Sequence, residues 1–413
     1  MTQTMRLLLF VTVVTLTLTN SFGQEWNRFR GAGGLGIGKA DSIPTTWTPQ
    51  DYAWRVPLPG LGHSSPVVWE DRIYLTSAVQ EDATRHVFCI DASNGRTVWE
   101  RSFPSPTFDL GNATAYDECS PTVDADRVYV AWANPEQYRI MAMDRHSGET
   151  VWQRDMGAID SEHGFGTSPI LFNDSLILQC DHKAKSWVAA MDVKTGQTRW
   201  EAERTCVKTA YGTPLVFQPE GGPPQLITTG WGPGFTAYDP ESGKQLWQLP
   251  LFRFRCVASP FVAGGLVFAS AGSGGSGRQM FAVAPGIPET GQEARLAYEI
   301  APPIPYVPTP IARGNLLFLW GDAGVVQCLD IPTGAVQWQE RVGGRYFGSP
   351  VLVQDRLYCM SRDGICVVLA AEKDYRLLAE IDLEEPSHST PAVANGVMYL
   401  RTFGHLMALG RKD

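Results

Sequence analysis

The stretch Ser65-Pro66-Val67-Val68, Ile73-Tyr74-Leu75-Thr76, His86-Val87-Phe88-Cys89-Ile90 and Thr97-Val98-Trp99-Glu100 contains four short apolar runs broken by turns. Asp71-Arg72 makes the first turn, and Asp91-Ala92-Ser93-Asn94-Gly95 the third. Runs of this length, rich in β-branched and aromatic residues, read as strands. Four antiparallel strands joined by tight turns make one propeller blade.

The same phrase recurs along the chain. A small hydroxylated residue followed by proline opens each copy, at Pro66, Pro121, Pro169, Pro214, Pro260, Pro310, Pro350 and Pro391. The steps are 55, 48, 45, 46, 50, 40 and 41 residues. A period of that size identifies stacked supersecondary units, so the length does not imply several domains. The third turn repeats too. Asp91, Asp144, Asp192, Asp239 and Asp330 each stand four residues before a glycine and eight before a tryptophan (Trp99, Trp152, Trp200, Trp247, Trp338). The carboxylate suits the backbone donors of the turn, the glycine supplies a positive φ, and the tryptophan can cover a seam between blades. Residues that recur around a ring serve packing, so these aspartates are read as structural.

Two copies are irregular, around Met280 to Ile300 and Val367 to Ile381, where the turn and the tryptophan are lost. The last copy has no fourth strand, and Tyr52-Ala53-Trp54-Arg55-Val56 is a spare one. The expectation is an all-β, eight-bladed propeller over residues 52–413, closed by the strand near Trp54. Residues 24–51, with Arg28-Phe29-Arg30-Gly31, are predicted to cross one face as a lead-in.

Residues 1–23 read as a signal peptide, with Arg6, an apolar Leu7 to Leu18 stretch and small residues Ser21 and Gly23 before a cut at Gln24. An exported protein, periplasmic or extracellular, is expected, without a membrane span and as a monomer. The net charge of −9 lacks the basic stripe of a nucleic-acid surface. The eight cysteines read as buried free thiols, since a chain this long needs no staples. Cys359 and Cys366, flanking one turn, are the pair best placed to bridge.

The signature Ala-x-Asp-x-x-Thr/Ser-Gly-x-x-x-Trp, as in Ala142-Met143-Asp144 to Trp152, Ala190-Met191-Asp192 to Trp200 and Ala237-Tyr238-Asp239 to Trp247, resembles the quinoprotein, or PQQ-binding-like, propeller repeat. The resemblance implies the fold. It also implies either a PQQ- and calcium-dependent alcohol or sugar oxidoreductase or a non-enzymatic assembly scaffold. The chain departs from the dehydrogenases, having no adjacent cysteine pair and no haem attachment sequence. It departs from the lipid-anchored scaffold in lacking an anchor cysteine after the signal.

Where the copies differ, function can be sought. Three residues before each proline stand His63, Glu118, Gly166, Tyr211, Val257, Val307, Phe347 and His388. Because the last blade adjoins the first, His388, His63 and Glu118 are consecutive, and they are donor types for a metal or an acid–base pair. Asp117, Glu162 and His163 lie close to this level in sequence. On the other side Lys208, Arg253, Arg255 and Arg345 interleave with Tyr211, Tyr306, Tyr346 and Phe347, a set suited to a planar anion such as PQQ, or to an acidic peptide or sugar. Polar lining of a hydrated funnel is the plainer reading of both groups. The expected function is a ligand-binding or protein-interaction scaffold acting through the funnel, on a protein or a small anionic ligand. The alternative is a PQQ- or metal-dependent oxidoreductase.

Overall fold

In the computed structural model, which describes residues 26–41, 43–110, 115–274 and 277–410, eight antiparallel sheets form a ring. The blades span Val67–Phe103, Thr122–Asp155, Ile170–Arg204, Leu215–Leu249, Phe261–Glu299, Ile311–Arg341, Val351–Asp382 and Ala392–Gly410, numbered 1 to 8 below. Blade 8 takes its outer strand from Tyr52–Pro57, which pairs antiparallel with His405–Gly410. The proposed signal segment lies outside the described residues, among which no helix is long and apolar enough to cross a membrane.

The hydroxyl before each proline has a specific partner. Ser65 N–H donates to Ser120 Oγ, Ser120 to Ser168, Ser168 to Thr213 and Thr213 to Ser259. Ser259 donates to Thr309, Thr309 to Ser349, Ser349 to Thr390, and Thr390 back to Ser65. All eight bonds measure 2.9–3.1 Å. The buried amide at the mouth of each inner strand has no ladder partner, so the neighbouring blade supplies one.

The outer rim is tied by the tryptophans. Trp54, Trp99, Trp152 and Trp200 donate their indole N–H to the carbonyls of Ala92, Arg145, Val193 and Pro240 in the next blade. Each ring lies under the next blade's turn glycine, such as Gly148 on Trp99, where φ is 72° and a Cβ would come within 2.7 Å of the indole. Trp247 instead bonds Gln225 of its own blade, because the turn it would meet is replaced. Tyr298 takes the tryptophan's place in irregular blade 5 and reaches Ile331 O. The turn aspartates accept backbone N–H groups, for example His146 and Ser147 on Asp144.

The lead-in segment does more than cross a face. Trp26 and Asn27 carbonyls accept from Val68 and Val123 of blades 1 and 2. Arg28 Nη2 reaches Pro214 O in blade 4. Arg30 donates all five of its guanidinium hydrogens to carbonyls, those of Gly34, Leu35, Thr309, Pro310 and Pro350. Ile37–Gly38 then pairs parallel with the inner strand of blade 7. Glycine is required here, since a Cβ at Gly36 (φ 74°) would lie 2.7 Å from Arg30 Nη2. The segment thus closes the channel, with Arg28 and Arg30 buried and no carboxylate in ion-pair distance among the described residues.

All eight cysteines are free. Cys359 lies opposite Val367 and Cys366 opposite Met360, so the two thiols point to opposite faces of their sheet and cannot bridge.

Replacing Ser168 by Ala leaves the Ser120 amide buried without an acceptor. Urea unfolding should show a loss of about 1–3 kcal/mol, while Ser168→Thr stays near wild type. Arg30→Leu orphans three inner-strand carbonyls and should cost on the order of 3 kcal/mol, and Arg30→Lys, lacking the planar fork, should not restore it.

Candidate functional site

The closed channel leaves a funnel of about 620 Å³ on the opposite face. All eight residues at the third position before the prolines line it: His63, Glu118, Gly166, Tyr211, Val257, Val307, Phe347 and His388. The eight ring hydroxyls and Phe29 line it as well. The same register that builds the ring therefore places one variable side chain per blade around a common cavity.

The blade 8–1–2 wall carries a chain of contacts. Arg362 Nε donates to His388 Nε2 at 3.1 Å, and His388 Nδ1 meets His63 Nε2 at 2.9 Å. A guanidinium has no acceptor, so His388 must hold its proton on Nδ1 and give that bond to His63. His63 then carries its proton on Nδ1, which faces Glu118 Oε1 at 3.9 Å. Burial drives both imidazoles to their neutral forms, His63 well below its ordinary range and His388 to about 4, helped by the cations nearby. Burial pushes Glu118 up to about 8, with Asp117 adding to it against Arg85 and an N–H from Ala115. Asp117, itself buried, accepts from Thr76 and lies 3.8 Å from Arg401.

His63, Glu118 and His388 do come together, with a hydrogen bond between the two imidazoles and Glu118 a further 3.9 Å from His63 Nδ1. The nitrogens that an ion would need face each other, and no group of three His, Cys, Asp or Glu suited to a metal occurs among the described residues.

The cationic side is split. Arg255, Arg345, Tyr211 and Tyr306 line the funnel, whereas Lys208, Arg253 and Tyr346 do not. Lys208 is half-buried beside Glu162, Arg253 is exposed two residues from Arg255, and Tyr346 is buried edge-on against Trp320 between blades 6 and 7. Tyr346 alternates with Arg345 and Phe347, so its side chain leaves the cavity for the core. Arg278, Asp322, Arg362, His163 and Phe29 also line the site. The proline register brings His163 only near this level and does not mark the other four. Asp322 and Arg362 occupy matching turns between the second and third strands of blades 6 and 7, so aligning those turns would have found them. Phe29 belongs to no blade and leaves no repeat signal.

Three guanidinium groups sit over aromatic rings: Arg255 over Tyr211, Arg278 over Tyr306 and Arg362 over Phe347, at 5.7, 5.0 and 4.3 Å. Their counter-charges differ. Glu162, held down to about 2 by its bonds to Lys183 and Arg255, neutralises Arg255. Asp322 holds Arg278 at 3.3 Å and accepts the N–H groups of Tyr306 and Val307. Arg345 has only the exposed Asp363, at 3.7 Å. Arg362 has no carboxylate in ion-pair distance among the described residues; burial and the Arg345 charge lower its pKa, Asp363 opposes them from further off, and its Nε–H goes to His388.

These residues fit half of a PQQ-and-cation pair. Arginines on aromatic faces suit a planar carboxylate. A divalent cation finds no home, because Glu162 and Asp322 are already paired and Glu118 is held toward its acid form.

The chain matches the family described as outer membrane protein assembly factor BamB over residues 50–216, 304–378 and 322–413. A tetrathionate hydrolase from Acidithiobacillus ferrooxidans is 27% identical over 245 residues, 56% of this chain and 46% of that protein, so under half its length is spanned. Among solved structures, quinohemoprotein alcohol dehydrogenase from Comamonas testosteroni superposes with a TM-score of 0.70 at 13% identity, covering 94% of this chain and 81% of that one. BamB from Moraxella catarrhalis gives 0.63 at 14% identity, covering 88% and 98%. At such identities the structures share the fold.

Glu118 binds its proton more tightly folded, at about 8, than at its ordinary 4.5. Its contribution is therefore complete below about 4.5 and is lost as pH rises through about 8. Urea unfolding across that window should show stability falling with pH, and Glu118→Gln should flatten the fall.

Proposed function

The chain belongs to the propeller family described as outer membrane protein assembly factor BamB, and on that premise we propose that it is a ligand-binding propeller that takes a small anion into its central funnel. Fold does not decide function, since the structural neighbours include both a dehydrogenase and an assembly factor. The site carries the reading. Its decisive feature is Arg362, a half-buried guanidinium seated on Phe347, lining the funnel and without a carboxylate in ion-pair distance among the described residues. Arg345 adds a second, weakly compensated charge. A cation so placed is favourable once an anion supplies the missing charge and a forked hydrogen bond.

The protein as a whole carries −9, so the funnel's positive wall runs against the overall charge and is a local feature of the site. The relative named tetrathionate hydrolase bears the name of an anion, in keeping with the ligand class these charges favour. With the signal peptide proposed at residues 1–23, this binding would take place outside the cytoplasm.

Isothermal titration at low ionic strength should reveal one-to-one binding of at least one of tetrathionate, sulfate and PQQ. Arg362→Gln should weaken it about tenfold or more, the loss expected of a charge-assisted bond. If none of the three binds, the funnel is not an anion site. Dye reduction with alcohols or sugars in the presence of PQQ and calcium would revive the oxidoreductase alternative.

A further inference from the structure

The two buried arginines of the lead-in segment are used differently. Arg30 donates all five of its guanidinium hydrogens to carbonyls. Arg28, also more than nine-tenths buried, makes one hydrogen bond among the described residues, from Nη2 to Pro214 O. Its Nε is buried without a partner. So is the indole Nε1 of Trp26, a residue only 2% exposed. Burial brings the Arg28 guanidinium down to about 10, so it stays charged at neutral pH. Buried donors left unpaired cost free energy, and here a charged one and a neutral one lie two residues apart.

Both side chains line a second cavity of about 680 Å³, on the plugged face of the ring. It shares no lining residue with the funnel. The inner strands of blades 3 and 4 end at its wall, with Phe172, Val216 and Phe217 half-buried there. Ile37 of the lead-in joins them and is 43% exposed. It alternates with Gly38, which packs on Val393, so the isoleucine is turned outward. Lys39, exposed, brings a second cation, and no Asp or Glu lines the cavity among the described residues. In a chain of net charge −9 that balance is local to this place.

We propose that this cavity binds a small amphipathic carboxylate, an alkyl or aryl chain ending in one COO⁻, with its head on Arg28 and the Trp26 N–H and its chain along Ile37, Phe172 and Phe217. The proposal does not rest on the funnel reading. A carboxylate matches the planar fork of a guanidinium and supplies the charge that Arg28 lacks. The apolar wall gains nothing from a bare inorganic anion, and a neutral apolar molecule leaves the cation uncompensated. A cavity of several hundred cubic ångströms with apolar walls and a few placed polar groups is of the size and kind that holds such ligands.

The test is calorimetric titration of the protein with octanoate, acetate, octanol and octylammonium at low ionic strength. Octanoate should bind one-to-one. Acetate, lacking the chain, should bind about a hundredfold more weakly, and octanol and octylammonium about tenfold more weakly or worse. Arg28→Gln should weaken octanoate about tenfold. Because that variant also touches the bond to Pro214, Lys39→Glu serves beside it: the side chain is exposed, the fold should be unaffected, and octanoate should weaken several-fold. In a crystal soaked with 8-bromooctanoate the bromine anomalous peak should lie beside Phe172 and Phe217. Octanol binding as tightly as octanoate, with both unchanged in folded Arg28→Gln and Lys39→Glu proteins, overturns the carboxylate site. Octanoate binding lost in Arg362→Gln but kept in Arg28→Gln puts the ligand in the funnel and overturns it too, as does no octanoate binding at all; none of these outcomes bears on sulfate or tetrathionate in the funnel.

Discussion

A closed circle of eight amide-to-hydroxyl hydrogen bonds organises this molecule. The inner strand of each blade opens on a proline, which cannot donate, and is preceded by a residue whose amide points across the seam. That amide is buried, so it must be paired. A short hydroxylated side chain one blade along reaches it, and the next amide finds its partner in the same way. The circle closes because blade 8 is completed by the strand from Tyr52 to Pro57, so no seam lacks its neighbour. Outer-strand tryptophans repeat the logic at the rim, where indole N–H groups meet carbonyls of the next blade.

A ring of eight blades leaves an axial hole, and its inner carbonyls need donors. The lead-in segment supplies them. Arg30 satisfies three inner-strand carbonyls from blades 6 and 7 and two of its own loop, with no hydrogen left over. An ion pair would have competed for those hydrogens. Full use by carbonyls lets the guanidinium stay buried without a counter-charge. The plug turns a channel into a dead-ended funnel and puts two cations beneath its floor. Closure of the fold and the electrostatics of the site thus share one cause.

The repeat, its eight copies and the closing strand were legible in the sequence because each is a local pattern with a fixed physical reason. The position three before each proline was legible for the same reason, and all eight of its occupants face the funnel. Tyr346 misled because strand-like alternation sends it to the core between two funnel residues. Arg362 escaped the proline register because its turn belongs to another part of the blade. The chain from Arg362 through His388 and His63 toward Glu118 was not legible either, since its partners come from distant segments and its proton positions follow only from their contacts. Phe29 and the arginine plug lie outside the repeat, where periodicity has nothing to say.

Structure and specificity are coupled at the floor. A hydroxyl that accepts an amide still has its own hydrogen to place. The bond that holds two blades together therefore leaves a donor at the cavity surface, and it does so at all eight seams. An apolar residue of similar size at any ring position would remove the donor and orphan an amide together, so the floor cannot be rewritten without loosening the ring. The positions three residues earlier carry no such duty, and here they range from glycine through valine to phenylalanine and histidine. The fold can therefore vary its wall one residue per blade while its floor stays a ring of hydroxyls, and the proposed anion reading draws on both.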